Sequence, residues 1–466
     1  MNKKIILTFL FLLTAFSFYP QELNYELELV GRVWFPGVYH GGNDTTGTSD
    51  CWGYTAPDGT EYAIIGVLEG IAFVRIPDLT PVDVIPGPKN NDYYYHRDIK
   101  TYKNYAYAVA EMTGENQGLM IMDLQYLPDS VHFVKSYEYS NNARSHNFSI
   151  DTARGFAYIC TQNYSGFRVV DLNDPENPVD TNFVSTGNIH DVYARNDTVY
   201  VAEGYNSSYS IYDLSDKSNP LLLKRWSTPT GGYAHNIWAS DDGKFVMTTE
   251  ETKFRTVKYW DISDLDNIQI RGEYLADNYI AHNTHIKGNF AYISHYRAGV
   301  RVVDLSNPDS LKEVAAYSTY GGAATGNFYG NWGAYPFTND GYIYGSDLEG
   351  WLTVVKLIKS PTGIDDDNIL PGTISLKQNY PNPFNPSTTI SFSISEISFI
   401  RLKIYNSIGE EIVSLVNEVK DAGEHTINFN AANLSSGIYY YRLLAGNLSA
   451  GSEGIYTETR QMILLK

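Results

Sequence analysis

Five histidines head strand-like segments of the chain: His96, His146, His190, His235 and His282. Ten to twelve residues after each, an aromatic residue opens a second strand, at Tyr107, Tyr158, Tyr200, Phe245 and Tyr292. Trp52, ahead of Tyr62, and Trp332, ahead of Tyr342, fit the same frame with indole in place of imidazole. Near the end of each second strand stand Glu69, Glu111, Glu203, Glu250, His295 and Asp347, with Gln162 in the third unit. Imidazole nitrogens and carboxylate oxygens are the ligands of divalent metals, and a carboxylate beside an imidazole orients it for that task. A chain with 10 His that spends five of them in one repeated position invites a cation site there. The metal candidates are His146, His190, His235 and His282. The wider ligand-binding rim adds His96, Trp52, Trp332, Glu69, Glu111, Glu203 and Glu250. A divalent metal or iron held there could activate water or oxygen. One histidine per unit is also what a structural tie between units demands, so both readings stand at this point.

The elements that must carry these groups follow from the spacing. The seven anchors lie 44, 50, 44, 45, 47 and 50 residues apart. Units of this length holding four short strands are propeller blades. In the fourth unit the strands are expected over 190–194, 198–202, 209–214 and 221–226, with Asn196-Asp197, Ser215-Asp216 and Asn219-Pro220 where hairpin chemistry wants them. Third strands end in an aspartate, as at Asp171, Asp261 and Asp304, and an aspartate there fixes a turn by accepting from the backbone two residues on. The seventh unit stops after a third strand at 351–357, whereas 25–34 reads as a fourth strand with no unit of its own. The N-terminal strand is therefore expected to complete the last blade and remove two free edges. The innermost strand of each blade lines the axis, so the repeated histidines gather at one rim of the channel. The fold class is all-β, a seven-bladed β-propeller over residues 22–358 followed by a small β-sandwich.

Composition agrees with that class. Apolar residues make up 43% of 466 and tyrosine is abundant, 39 against 20 Phe and 7 Trp, which suits pleated half-buried surfaces. The formal charge of −19 repels phosphate backbones and anionic lipid, which argues against nucleic acid and membrane surfaces as partners. Two cysteines, Cys51 and Cys160, cannot frame the fold with disulfides. Residues 1–20 read as a signal peptide, with a basic start and an apolar core too short to span a membrane comfortably. No later segment approaches a transmembrane length, and the mature protein is expected to be monomeric.

The runs Gly166-Phe167-Arg168-Val169-Val170-Asp171 and Gly299-Val300-Arg301-Val302-Val303-Asp304 resemble LVIVD-repeat propellers. The whole His-anchored array, roughly residues 25–358, is similar to the bacterial choice-of-anchor B family, whose members share a propeller-like region and differ in their C-terminal anchor. No catalytic role carries over to named residues. Axial histidines would be similar to those of propeller enzymes that hold iron. After a linker at 359–372, residues 373–466 closely resemble the type A sorting domain of type IX secretion. The matching pieces are Tyr380–Pro386, Leu402–Asn406 with Gly409, Ser435–Leu443 and Met462–Lys466. That resemblance implies the secretion machinery as a partner and a secreted or cell-surface location.

Two functions remain open on these grounds. One is a binding module presenting Tyr-rich loops, such as 93–95 and 317–329, to an extracellular glycan, peptide or protein. The other is a secreted metal-dependent hydrolase or oxidase built on the His/Glu rim. Nucleophile-elbow, His-Glu-x-x-His and phosphate-loop signatures are absent from the sequence.

Overall fold

A computed structural model describes residues 25–41, 44–89, 96–140, 143–161, 165–229, 231–277, 280–321, 328–359, 375–394, 398–406, 410–421, 423–447 and 456–466. The expected signal peptide, most of the expected linker, Gln162 and the 93–95 loop lie outside them. The chain divides into two compact units, residues 1–363 and 364–466.

The first unit contains seven four-stranded antiparallel sheets, and the chain visits them in order. Blades one to six span residues 48–86, 97–137, 148–185, 191–227, 234–274 and 284–317. Each runs from an innermost first strand to an outermost fourth. The seventh joins Asn331–Tyr335, Tyr342–Asp347 and Trp351–Lys359 to the N-terminal strand Tyr25–Trp34. That strand pairs antiparallel with Trp351–Lys359, from Tyr25 opposite Lys359 to Trp34 opposite Trp351, across a bulge between Leu29 and Gly31. The ring of blades is thus closed by its two ends.

Strand alternation does the packing. On the second strand of the second blade, Ala106 and Ala108 face one neighbouring blade while Tyr107 and Val109 face the other. Seven buried clusters result, one between each pair of adjacent blades, including the pair formed by the seventh and the first. Each fully buried aliphatic side chain contributes about 1.5–3 kcal/mol, so every interface matters to the whole. Cys51 and Cys160 are buried free thiols within this packing, and the Cys51 thiol donates to the Tyr344 carbonyl at 3.2 Å.

The aspartates at third-strand ends do what their position suggests. Asp171, Asp213, Asp261 and Asp304 accept from the backbone N–H of Asn173, Ser215, Ser263 and Ser306 at 2.7–3.0 Å. They hold the turns at the end of the channel away from the histidines.

The second unit is a two-sheet sandwich. One sheet has Ser375–Leu376, Ser387–Ile394 and Gly423–Asn430; the other has Glu411–Lys420, Ser398–Asn406, Gly437–Asn447 and Tyr456–Leu464. Ile390, Phe392, Ile400, Leu402, Tyr441, Leu443 and Met462 fill the space between them. Among the described residues no helix is long and apolar enough to cross a membrane.

Closure generates a test. Removing residues 25–34 strips Leu27 and the partly buried Tyr25, Val30 and Val33 from two interfaces and frees the edge of Trp351–Lys359. A loss of at least about 5 kcal/mol is expected, read as a lowered melting transition together with self-association by size exclusion. A truncated chain that stays monomeric and melts like its parent would show that closure contributes little.

Candidate functional site

The innermost strand of every blade is an edge strand, and its free backbone groups face a buried channel. Buried N–H and C=O groups must find partners, and here the partners are side chains of the preceding blade. The N–H of Phe148 donates to Asp98 Oδ2 at 2.8 Å, that of Thr284 to Asn236 Oδ1 at 3.0 Å, that of Ala194 to Ser149 Oγ at 3.0 Å and that of Arg97 to Ser49 Oγ at 3.1 Å. The same requirement places the histidines. His190 Nδ1 donates to the carbonyl of His235 at 2.8 Å, His235 Nδ1 to that of His282 at 3.0 Å, and His282 Nδ1 to that of Trp332 at 2.6 Å.

The result is a closed circle of six rings at one mouth of the channel. Centroids lie 5.4 Å apart from His96 to His146, then 4.5 Å to His190, 4.2 Å to His235, 4.4 Å to His282, 4.0 Å to Trp332 and 4.4 Å back to His96. Six of the seven expected anchors therefore meet. Trp52 does not. Its strand is bulged between Thr48 and Cys51, and Ser49 stands beside Arg97, which puts Thr48 level with His96. The Trp52 ring lies instead 4.8 Å from Tyr335, 5.9 Å from His285 and 6.3 Å from Phe337, with the Lys100 ammonium 4.4 Å above it. With Trp238, whose ring is 4.5 Å from His285 and 5.5 Å from Phe337, these aromatics pack deeper along the innermost strands.

Because a carbonyl only accepts, each Nδ1 bonded to one carries the proton, and the neutral imidazole keeps a lone pair on Nε2. Burial, with neighbouring imidazoles, drives His190 and His282 well below the usual histidine range and His235 down to about 3. These three rings are neutral at any physiological pH. One ligand atom each from His146, His190 and His235 lie within 4.8 Å of one another, and the same holds for His235, Glu251 and His282. His235 Nε2 is 3.8 Å and His282 Nε2 4.0 Å from the Glu251 carboxylate, and His282 Nε2 has no hydrogen-bond partner among the described residues. The circle and the layer beneath it enclose a cavity of about 20 Å³, lined also by Asp50, Asp98, Asn147, Asp191 and Asn283. That is room for one water molecule or ion. In the lower layer, Lys100 pairs with Asp98 and lies 3.7 Å from Asp50, so one buried ammonium serves several carboxyls. Burial raises Asp191 to about 7 despite its bond from Asn236.

The expected carboxylates divide sharply. Glu111 reaches the circle, with Oε1 3.0 Å from His146 Nδ1 and Oε2 3.3 Å from His96 Nδ1. Glu203 turns the other way, into the hydroxyls of Ser208 and Ser210 at 2.6 Å and a bifurcated bond from Arg225 Nε to both its oxygens at 2.9 Å. Glu250 is buried against Lys258 at 2.5 Å. Glu69 is exposed and paired with Lys89. Asp347 binds Arg32 of the closing strand at 3.2 Å, and His295 Nε2 accepts from the N–H of Ala276 at 3.2 Å. The carboxylate that serves His235 and His282 is Glu251, one residue beyond the expected Glu250. Period-two alternation at the strand end could have pointed to it, because 250 and 251 face opposite ways.

Glu111 also sets one charge. Burial alone would lower His146, but the Glu111 carboxylate overrides it and raises the imidazole to about 9. Burial would raise Glu111, yet His146 and His96 hold it well below the usual carboxylate range. The His146 contribution is complete below about pH 6.5, its unfolded pKa, and fades as pH rises through about 9. Glu111→Gln is expected to cost about 3 kcal/mol near pH 6.5, with a penalty that shrinks above pH 9. Denaturant unfolding across that range checks it. In the same variant His146 should titrate below neutrality by NMR; an unmoved His146 would break the assignment.

Comparison with known proteins bears on this arrangement. The LVIVD repeat family matches residues 186–228 and 280–319, and the secretion system C-terminal sorting domain matches residues 378–455. No curated protein matches the chain. Among solved structures, Raptor from Chaetomium thermophilum is similar at 10% identity with a TM-score of 0.53, over 71% of this chain and 29% of that one, and shows the fold alone. The chain carries LVIVD repeats within a β-propeller fold and a C-terminal sorting domain that indicates export by type IX secretion to the cell surface or the medium.

Proposed function

We propose that the exported propeller is a binding protein whose axial histidines hold a first-row transition metal at the floor of its ligand-facing mouth. The observation that carries this reading is the arrangement of nitrogens: Nδ1 of His190, His235 and His282 is committed to a backbone carbonyl, Nε2 of His235 and of His282 stands 3.8 and 4.0 Å from the Glu251 carboxylate, and all three rings line one cavity. An Nδ1–H held by a carbonyl is how proteins fix the tautomer of a metal-ligating histidine. His190, His235 and His282 would supply nitrogen, with Glu251 as the adjacent carboxylate, and His146 would join them on giving up the proton that Glu111 holds there. A set dominated by imidazole suits zinc, iron, copper or nickel better than calcium or magnesium, which want oxygen. Trp332 and Thr48 give blades seven and one no ligand nitrogen there, and His96 of blade two turns Nδ1 to Glu111, so the coordination is one-sided and leaves positions for an outside ligand.

A tie between blades is also satisfied by the Nδ1 bonds, and one substitution separates the two roles. The Asn amide nitrogen occupies nearly the place of His Nδ1, so His190→Asn with His235→Asn keeps both donors and deletes both Nε2 atoms. Plasma mass spectrometry on the purified mature chain is expected to find about one equivalent of transition metal after dialysis. The paired variant should hold less than roughly a tenth of that while melting within a few degrees of the metal-free parent. A parent that holds no metal even after exposure to zinc or ferrous iron would reduce the circle to a structural tie.

A further inference from the structure

Exposed aliphatic side chains of the propeller keep to its outer wall, where Trp34 and Phe183 join them, and Tyr126 stands in a turn at the far end of the channel. Among the described residues its large exposed aliphatics, Leu29, Val84, Val179 and Leu221–Leu223, all lie on outermost strands. The loops at the histidine mouth expose aromatics instead: Tyr205 at 83%, Phe254 at 67% and Phe328 at 54%. Tyr205 and Phe254 sit between the second and third strands of blades four and five, and Phe328 precedes the first strand of blade seven. Rings then descend from these to the circle. Tyr205 meets Tyr233 edge-on at 4.7 Å, and Tyr233 meets His190 at 5.1 Å. Phe328 meets Tyr296 at 5.3 Å, and Tyr296 meets His282 at 5.2 Å. Phe254 and Tyr296 take left-handed φ values of 62° and 42°, a conformation that bulky side chains rarely adopt and that marks functional loops.

We infer that this crescent is a platform for a neutral glycan chain lying across blades four to seven. An aromatic face is electron-rich, and the C–H face of a pyranose presents the complementary polarity while its hydroxyls stay free for polar groups at the edge. The exposed Lys253 adjoins Phe254 in its loop, and Arg297 lies 4.6 Å from the Tyr329 ring, so hydrogen-bond donors stand beside the rings. A surface for an amphipathic helix would mix aliphatic anchors with the aromatics, and among the described residues no large aliphatic is exposed in these loops. Polyanionic sugars meet a chain of formal charge −19. The inference deepens the binding reading and does not need the metal.

The mature chain is titrated calorimetrically with cellohexaose, mannohexaose, xylohexaose and chitohexaose, with and without EDTA. At least one should bind with Kd at or below roughly 1 mM, unchanged by EDTA. Replacing the three exposed rings together, Tyr205→Ala, Phe254→Ala and Phe328→Ala, should weaken it at least about tenfold with metal content and melting temperature unaltered; Tyr205→Ala alone is the fallback if the triple variant misfolds. No binding of any of the four at roughly 5 mM overturns the proposal, as does a variant that binds like the parent. Tighter binding of a heparin hexasaccharide also overturns it. Metal retention is measured on the same samples, so loss of the metal reading and loss of the glycan reading are told apart.

Discussion

Seven strands run along a common axis, and none forms a continuous hydrogen-bonded sheet with its neighbour. Each therefore brings an unpaired backbone edge into a channel too narrow to hydrate it freely. Leaving a buried donor or acceptor unpaired costs about 1–3 kcal/mol, repeated at every blade. The side chains of the innermost strands answer this: Asp98, Asn236, Ser149 and Ser49 take up neighbouring N–H groups, and His190, His235 and His282 take up carbonyls. The polar lining of the axis is first a solution to a backbone problem.

Imidazole is unusual among the available donors because satisfying a carbonyl uses only half of it. Serine or asparagine in the same place would finish the task and offer no equivalent second nitrogen. Histidine leaves Nε2 on the far side of a rigid ring, and three successive blades each set such a ring against the same cavity. Blades two and three break the pattern, since His96 and His146 turn Nδ1 to Glu111 instead. A circle that is regular in ring spacing is thus uneven in charge, protonated at His146 and neutral from His190 to His282.

Much of this was legible in the order of residues. The blade period, the turn aspartates and the N-terminal closing strand at 25–34 follow from spacing and turn chemistry, which are local. Trp52 was misplaced for a different reason: it matches the anchor in residue type and in distance from Tyr62, but the innermost strand of the first blade already begins at Thr48 and takes up one extra residue in a bulge before Cys51, so Trp52 falls further along the axis. A bulge leaves no mark in composition. The Glu250 and Glu251 exchange has the same origin, with an irregularity between Ala234 and Asn236 on the partner strand. Glu203 shows the limit of pattern alone, because Arg225 and two serines that claim it come from strands whose register no spacing reveals.

The closing strand has a mechanical side. Trp351–Lys359, the last strand before the chain leaves for the sorting domain, is hydrogen-bonded on both flanks, to Tyr342–Asp347 on one and to Tyr25–Trp34 on the other. A tether attached beyond Lys359 does not pull on an edge that could peel away one bond at a time. Tension along the strand loads two ladders in parallel, and the seventh blade resists by shear. For a protein held at a surface by its C-terminal end, the seam that closes the ring is also the part of the ring that bears the load.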